Sequence, residues 1–163
     1  MLEIRRYSET DNIDEVSRIY ALSWKTAYRG IIPDEYLDSL SETRWSAHLN
    51  ADAKRLLLAL EDGKPVGAAT YSEARDVKMK DWGEIISLYL LPSHFHKGIG
   101  ARLFAAAIGE LENEGFRNIY LWVLEENYRA RAFYEKHGFT LSGDVNADNI
   151  GGRDVNEVRY VKK

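Results

Sequence analysis

The stretch from Gly83 to Arg102 constrains the fold of this chain more than any other. Its first part, Glu84 to Leu91, is rich in β-branched, aromatic and other apolar residues and is followed by Pro92, which predicts a buried strand. After a loop with two closely spaced glycines, the apolar residues of an alanine-rich run recur at helical spacing: Phe104, Ala107, Ile108 and Leu111. The sequence therefore predicts a strand, a glycine turn and a helix.

The glycine turn is suited to bind a phosphate or pyrophosphate. The first N–H groups of a helix have no partner within the helix, and the helix dipole adds positive potential at that end. Gly98 and Gly100 would let a ligand approach the backbone, because a Cβ would hold it away. A plain strand-to-helix turn can have the same Gly-x-Gly sequence, so the turn alone does not establish a phosphate site.

Two known phosphate-binding motifs can be tested directly on the sequence. No Gly-x-x-x-x-Gly-Lys-Ser/Thr sequence occurs, which excludes a P-loop. A Rossmann fingerprint is a closer match, because Glu125 follows the turn about 20 residues later. However, Leu103 occupies the position of the third glycine, and the roughly 60 residues after the turn are too few for the rest of a dinucleotide-binding sheet.

A second motif lies on the next predicted helix. The chain reads Asn-x-x-Ala-x-x-Phe-Tyr-x-x-x-Gly-Phe from Asn127 to Phe139. With the glycine turn, this motif closely resembles the GNAT family of N-acetyltransferases, in which [QR]-x-x-G-x-[GA] holds the coenzyme A pyrophosphate. The helix motif is matched at every position, but Phe95 stands where the family usually has glutamine or arginine. We expect this departure to weaken the phosphate contacts slightly.

The resemblance implies acetyl-CoA as cosubstrate and a set of residues that would hold it. The backbone of one β-strand segment would pair with the pantetheine arm like an added strand, and one of its amides would polarise the thioester carbonyl. Asn127 would cap its helix and contact the same arm. The implied coenzyme-binding residues are Leu88, Tyr89, Leu90, His96, Lys97, Gly98, Ile99, Gly100, Ala101, Asn127 and Tyr134.

The resemblance also implies the catalytic residues. Tyr134 would protonate the leaving thiolate, because in the family this tyrosine points at the coenzyme sulfur and a phenol of pKa about 10 stays protonated at neutral pH. Glu84, at the start of the predicted strand, would take the proton of the amine, with Glu125 and Glu126 as alternatives. The alternative without a catalytic role is that Tyr134 only packs on its helix and that Glu84 is a solvated residue at a strand edge.

The segment from Ser23 to Leu37 carries a further resemblance. It is similar to a subset of these acetyltransferases in which an aromatic-rich first helix and the loop after it form one wall of the acceptor pocket. Trp24 and Tyr28, four residues apart and therefore on one helix face, are the predicted acceptor-binding residues. The alternative is that aromatic residues such as Trp24 and Tyr36 belong to the core.

The predicted activity is acetyl-CoA dependent acetylation of a primary amine of a small molecule. A protein N-terminal or lysine acetyltransferase is the alternative within the family, although the aromatic segment suggests an enclosed rather than an open acceptor site. A non-catalytic acyl-CoA binding or sensing module is the alternative from another class. Such a module would keep Gly98 and Gly100 but would not need Tyr134, so the tyrosine favours an enzyme.

Composition limits the partners and the compartment. The 163 residues predict a single domain over 1–163. A net charge of −4 provides no basic field for nucleic acid or an anionic membrane, and no long apolar segment occurs. The chain has no cysteine, and His94 and His96 lack a further ligand nearby, so we expect no metal. We expect a cytoplasmic protein and leave open a homodimer.

The remaining elements follow from periodicity and turn residues. The resemblance implies a mixed α/β (α+β) fold with about seven strands, mostly antiparallel, and helices on both faces. The further predicted strands cover 2–7, 54–60, 66–71, 117–124, 139–145 and 154–161, and 75–81 is a predicted loop. Predicted helices run from Ile13 to a stop at Gly30 and from Pro33 to Leu40, with a third helix or a continuation beginning at 41–45.

Overall fold

A computed structural model describes all residues from 1 to 163. The strands are β1 (Leu2–Arg6), β2 (Leu56–Glu61), β3 (Lys64–Glu73), β4 (Gly83–Leu90), β5 (Ile119–Leu124), β6 (Thr140–Ile150) and β7 (Arg153–Lys162). The helices are α1 (Ile13–Ala27), α2 (Asp34–Ser39), α3 (Ser46–Ala51), α4 (Ile99–Asn113) and α5 (Tyr128–Lys136). Short 3₁₀ turns occupy Ala53–Arg55, Val77–Met79 and Pro92–His94. None of the helices has the length and apolar character needed to cross a membrane.

The seven strands form one sheet in the order β1-β2-β3-β4-β5-β7-β6. Neighbouring strands are antiparallel except β4 and β5, which are parallel. The sheet therefore has two antiparallel halves, one formed by β1, β2, β3 and β4 and the other by β5, β7 and β6. The halves meet at a single parallel junction between β4 and β5. The predicted mixed, mostly antiparallel fold of seven strands is confirmed.

Helices cover both faces of the sheet, because the inner strands are apolar on both sides. Alternate residues of β2 point to opposite faces, so Leu57 and Ala59 belong to the cluster that contains α4 residues. Leu56, Leu58 and Leu60 belong to the cluster that contains residues of α1. All five are at most 2% exposed. The predicted arrangement of helices on both faces is confirmed.

A β-bulge in β4 lies where the two halves of the sheet separate. Ser87 pairs with Thr70 and Ile85 pairs with Tyr71, so Ile86 is an extra residue in β4. A bulge bends its strand and increases the local twist. Ile85 is also the last residue of β4 that pairs with β5, so β4 and β5 diverge from the bulge onward.

The structure differs from the sequence predictions mainly at element boundaries. The final hairpin is longer than predicted, because β6 stays paired to β7 as far as Ile150, beside the Gly151–Gly152 turn. Nearly all of β6 is exposed, and its second half is mostly polar, so apolar residues indicate a strand only in its first half. The predicted strand from Lys54 begins two residues later, after a 3₁₀ turn, and the predicted loop 75–81 contains another.

The first and third helices also differ from prediction. Helix α1 ends at Ala27, three residues before Gly30. Residues 41–45 form turns, and α3 begins only at Ser46. The side chain of Ser41 accepts a hydrogen bond from the N–H of Thr43 at 3.2 Å, and such local side-chain bonds compete with helix formation.

Candidate active site

A cleft opens where β4 and β5 diverge. The two strands are joined through only three residue pairs, from Gly83–Ile119 to Ile85–Leu121. Beyond them, β4 continues to Leu90 with one edge paired to β3 and the other edge open. The cleft has a volume of about 800 Å³ and is lined by the end of α1, by β4, by the glycine turn, by α5 and by the β6–β7 hairpin.

The glycine turn presents unpaired hydrogen-bond donors at this cleft. Gly98 has a φ of 78°, in the left-handed region that glycine adopts without steric cost, and α4 begins at the next residue. The N–H groups of Ile99, Gly100 and Ala101 form no hydrogen bond within the chain. Because these groups stand at the positive end of the helix dipole, the turn has the geometry of an anion site.

Most of the predicted coenzyme-binding residues lie on the cleft. Those in the lining are Leu88, Tyr89, Leu90, His96, Gly98, Gly100, Ala101, Asn127 and Tyr134. Lys97 and Ile99 are not in the lining. The Ile99 side chain is 4% exposed and packs in the core, so Ile99 can offer a ligand only its backbone, and the Lys97 side chain is exposed outside the cleft.

Tyr134 has its ring packed and its hydroxyl unused. The ring lies 5.4 Å from that of Phe104 and 6.4 Å from that of Tyr160, between centroids. Its hydroxyl forms no hydrogen bond within the chain, and the residue lines the cleft. Burial raises the pKa of Tyr134, and the charge of Tyr89 raises it further. The phenol is therefore protonated at neutral pH and available to a ligand.

Asn127 fixes the start of α5 beside the cleft. Its Oδ1 accepts a hydrogen bond from the N–H of Ala130 at 3.3 Å, which caps the helix. The amide nitrogen of the same side chain has no partner within the chain. The capping role predicted for Asn127 is therefore compatible with a contact to a bound ligand.

A cation from α5 lies against the loop before the glycine turn, and the sequence motif did not indicate it. The Arg129 guanidinium stacks over the Phe95 ring, 4.8 Å from its centroid, and its Nη2 donates to His96 Nε2 at 2.8 Å. Because a guanidinium can only donate, His96 Nε2 is the acceptor in this bond. A positive charge thus stands beside Phe95, the residue that occupies the usual glutamine or arginine position.

Glu84 lines the cleft, but both oxygens of its carboxylate already accept hydrogen bonds from other groups. It is 1% exposed; its Oε1 accepts from the Tyr120 hydroxyl at 2.8 Å, and its Oε2 accepts from Arg75 Nη2 at 2.6 Å. The backbone N–H and Nε of Arg75 each add a bond of 3.1 Å to Oε1. These bonds raise the pKa of Arg75, while burial and then Glu84 raise that of Tyr120 to about 12. This geometry does not favour Glu84 as a proton acceptor.

The two alternative bases lie elsewhere. Glu125 and Glu126 are absent from the lining of the cleft. They line a separate, smaller pocket of about 200 Å³ together with Ile31 and Asp154. Neither carboxylate therefore faces the space in which Tyr134 lies.

Trp24 and Tyr28 line the cleft opposite the β6–β7 hairpin residues and also pack against buried residues. Their ring centroids are 4.9 Å apart, and both are half-buried against the cluster that contains Ile32 and Leu37. The Tyr28 hydroxyl is 3.0 Å from that of Tyr89, and burial raises the pKa of Tyr28 to about 12. Trp24 and Tyr28 therefore have contacts of both predicted kinds: they pack against core residues and they line the cleft.

Two carboxylates of the final hairpin also line the cleft and were not identified from the sequence. Asp148 lies on β6 and Glu157 on β7. Asp148 lies in the part of β6 that was not predicted, whereas Glu157 lies in a predicted strand, and no local motif marks either residue. Only the register of β5, β7 and β6 brings them to the same space as the glycine turn.

Comparisons with known proteins identify the family of this chain. A sequence profile of the acetyltransferase (GNAT) family matches residues 15–139. An uncharacterized N-acetyltransferase of Archaeoglobus fulgidus is 33% identical, over 93% of this chain and 97% of that protein. Spermidine N(1)-acetyltransferase of Thermoplasma acidophilum is 28% identical, over 91% of this chain and 94% of that protein.

Solved structures give the same result. The PaiA N-acetyltransferase of Thermoplasma acidophilum, crystallised in complex with coenzyme A, superposes with a TM-score of 0.78 at 25% identity, covering 100% of this chain and 99% of that one. YncA of Salmonella typhimurium, solved with acetyl-CoA, has the same fold, with a TM-score of 0.75 at 20% identity over 99% of this chain and 93% of its own. The profile match over most of the chain, on this fold, shows that the protein is an N-acetyltransferase of the acetyltransferase (GNAT) family.

Proposed function

We propose that this N-acetyltransferase transfers the acetyl group of acetyl-CoA to a primary amine of a small molecule, by direct attack of the amine on the thioester. One observation carries the proposal. The unpaired N–H groups of the glycine turn and the free hydroxyl of Tyr134 belong to the same cleft. An anion site and a proton donor on one cleft are what acyl transfer from a coenzyme A thioester requires.

The proposed coenzyme site uses mainly backbone groups. The pyrophosphate would bind the N–H groups at the start of α4, and the pantetheine arm would lie along the open edge of β4 near Leu88, Tyr89 and Leu90, like an added strand. The Thermoplasma structure was solved in complex with coenzyme A, which supports coenzyme A as the ligand. Asn127, at the capped start of α5, is placed to contact the arm.

In the proposed chemistry one bond forms, one bond breaks and two protons move, one from the amine and one to the leaving thiolate. The amine nitrogen bonds to the acetyl carbon, and the carbon–sulfur bond breaks as the thiolate takes the proton of the Tyr134 hydroxyl. A backbone amide of the open β4 edge would stabilise the charge on the carbonyl oxygen. Glu84 is not included as the base, because its carboxylate is committed to Arg75 and Tyr120.

The proposed acceptor is a cationic amine. Trp24 and Tyr28 offer aromatic surfaces, and Asp148 and Glu157 place negative charge on the same cleft, a combination that favours an ammonium group. The Thermoplasma relative named spermidine N(1)-acetyltransferase supports a polyamine as the first compound to test.

The experiment is a screen of amines with acetyl-CoA, followed through the release of free thiol. We expect release with at least one small primary amine, such as a polyamine, an amino acid or an aminoglycoside, and none with a peptide that offers only its N-terminus and a lysine. Thiol release with the peptide alone would refute the small-molecule acceptor. Binding of coenzyme A without transfer to any amine would instead support a non-catalytic acyl-CoA module.

A further inference from the structure

Glu157 lines the cleft from the side of the final hairpin. It is in the middle of β7, paired with Leu124 of β5 on one side and Asn146 of β6 on the other. Its side chain is half-buried and lines the cleft. Its charge contributes to raising the pKa of both Tyr28 and Tyr89. The carboxylate therefore lies near the aromatic wall formed from α1 and β4.

The carboxylates of the cleft differ in their partners. Glu84 is closed by Arg75 and Tyr120, and Asp148 is exposed and accepts the N–H of Asn149 at 2.8 Å. Glu157 forms no ion pair, since Arg75, the cation whose charge acts on it, is bound to Glu84 at 2.6 Å. Of the three, Glu157 alone is half-buried without an ion pair or a closed carboxylate, and the side chain of Asn146 is its hydrogen-bonding neighbour.

Burial and groups on three other elements determine the pKa of Glu157. Burial is the largest effect and raises its pKa, and the negative charge of Asp148 on β6 raises it further. Asn146 on β6 and Arg75 in the loop after β3 lower it, while Glu84 on β4 raises it slightly. The net pKa is above the usual value for glutamate, which makes this carboxylate a stronger base than a solvated one at neutral pH.

We propose that Glu157 is the general base of the transfer, an inference that rests on the function proposed above. The nitrogen of the neutral amine forms its bond to the acetyl carbon and loses one proton to a Glu157 oxygen. The carbon–sulfur bond then breaks, and the thiolate is protonated by Tyr134. Acid and base thus stand on different elements, Tyr134 on α5 and Glu157 on β7, and the acceptor binds between them.

The test is the pH dependence of kcat/KM for the acceptor in Glu157→Gln, which keeps the size of the side chain and removes its basicity. We expect a fall of about 10²-fold or more at neutral pH and loss of the acid limb of the wild-type profile. Affinity for coenzyme A, measured by calorimetry, is expected to stay within about twofold, because general-base catalysis acts on the amine rather than on the coenzyme.

Asp148→Asn is the matched variant on the neighbouring strand. Removing its negative charge lowers the pKa of Glu157, so the acid limb is expected to remain and to move to lower pH. An unmoved limb in Asp148→Asn, or a limb that survives in Glu157→Gln, would overturn the assignment of Glu157. A wild-type protein that binds coenzyme A and acetylates no amine would overturn the proposed function itself, whereas an active wild type with an equally active Glu157→Gln would overturn only this inference.

Discussion

At the scale of single residues, Tyr134 is the group on which the proposed chemistry depends most. In Tyr134→Phe the ring keeps its packing against Phe104, so we expect the fold to survive with a stability change of about 1 kcal/mol or less. Loss of the proton donor is expected to lower kcat and kcat/KM together, by about 10²-fold to 10⁴-fold. Steady-state kinetics with the best acceptor from the screen would measure this effect.

Tyr128→Phe on the same helix is the control for the Tyr134 variant. Its side chain is 69% exposed and lies outside the cleft lining, so the same loss of a hydroxyl should leave kcat within about twofold, as expected for a surface change. If Tyr134→Phe kept more than about a third of the wild-type kcat while chemistry limited turnover, Tyr134 would not be the acid.

Single residues also show what the sequence could and could not reveal. Tyr134 was identified because the motif gives its type and its spacing on one helix. The closure of Glu84 was not, because Arg75 and Tyr120 are 9 and 36 positions away. Which side chains meet across that distance depends on strand register, and a change of one residue in register would turn each side chain to the opposite face.

At the scale of elements, α5 and the glycine turn act together. The sequence predicted both elements and showed that Phe95 replaces the usual glutamine or arginine of the motif. It did not predict that Arg129 would stack on Phe95. We expect the Arg129 guanidinium to contact the phosphates of coenzyme A. Arg129→Gln should therefore weaken coenzyme A binding about fivefold, which corresponds to the ~1 kcal/mol contributed by a solvent-exposed charge pair. Calorimetric titration of coenzyme A at constant ionic strength would measure the change.

Phe95→Leu is the companion variant for this contact. Leucine keeps apolar bulk but removes the aromatic surface under the guanidinium, so affinity should fall in the same direction by a smaller factor. The effect of Arg129→Gln should also shrink as salt is raised, because exposed charges are screened. Equal affinities for wild type and Arg129→Gln at low salt would show that Arg129 does not contact the phosphates.

Element boundaries show a second limit of the sequence. The apolar elements β2, β4 and α4 were predicted because burial leaves periodic apolar residues in the sequence. Strand β6 was predicted only in part, because its mostly polar second half lacks that signal and is held by pairing with β7. Of the two hairpin carboxylates that line the cleft, Asp148 lies in the part of β6 that was not predicted, and Glu157 lies in a predicted strand without a motif to mark it. The residues expected to hold the coenzyme were therefore more predictable than those on the hairpin.

At the scale of the whole molecule, the sheet consists of two halves with a narrow junction. The three pairs between β4 and β5 are the only strand pairing between the halves, and the cleft lies where that pairing stops. A ligand bound in the cleft would contact β4 from one half and α5 and β7 from the other. Coenzyme A should therefore stabilise the native state as a bridge between the halves, in addition to filling its site.

The expected size of this stabilisation follows from mass action. Coenzyme A at 100 times its Kd should add ~2.7 kcal/mol to the free energy of unfolding, which for a chain of this length raises Tm by about 5–10 °C.

Gly98→Asp places a side chain and a negative charge against the pyrophosphate site, and we expect it to abolish the shift. Gly63→Asp is the matched control, since Gly63 has a φ of 83°, close to the 78° of Gly98, and an added Cβ meets no atom within 4 Å at either glycine. Thermal unfolding of the three proteins with increasing coenzyme A should give a rising Tm for wild type and Gly63→Asp and a constant Tm for Gly98→Asp; an equal rise in all three would place the coenzyme site away from the glycine turn.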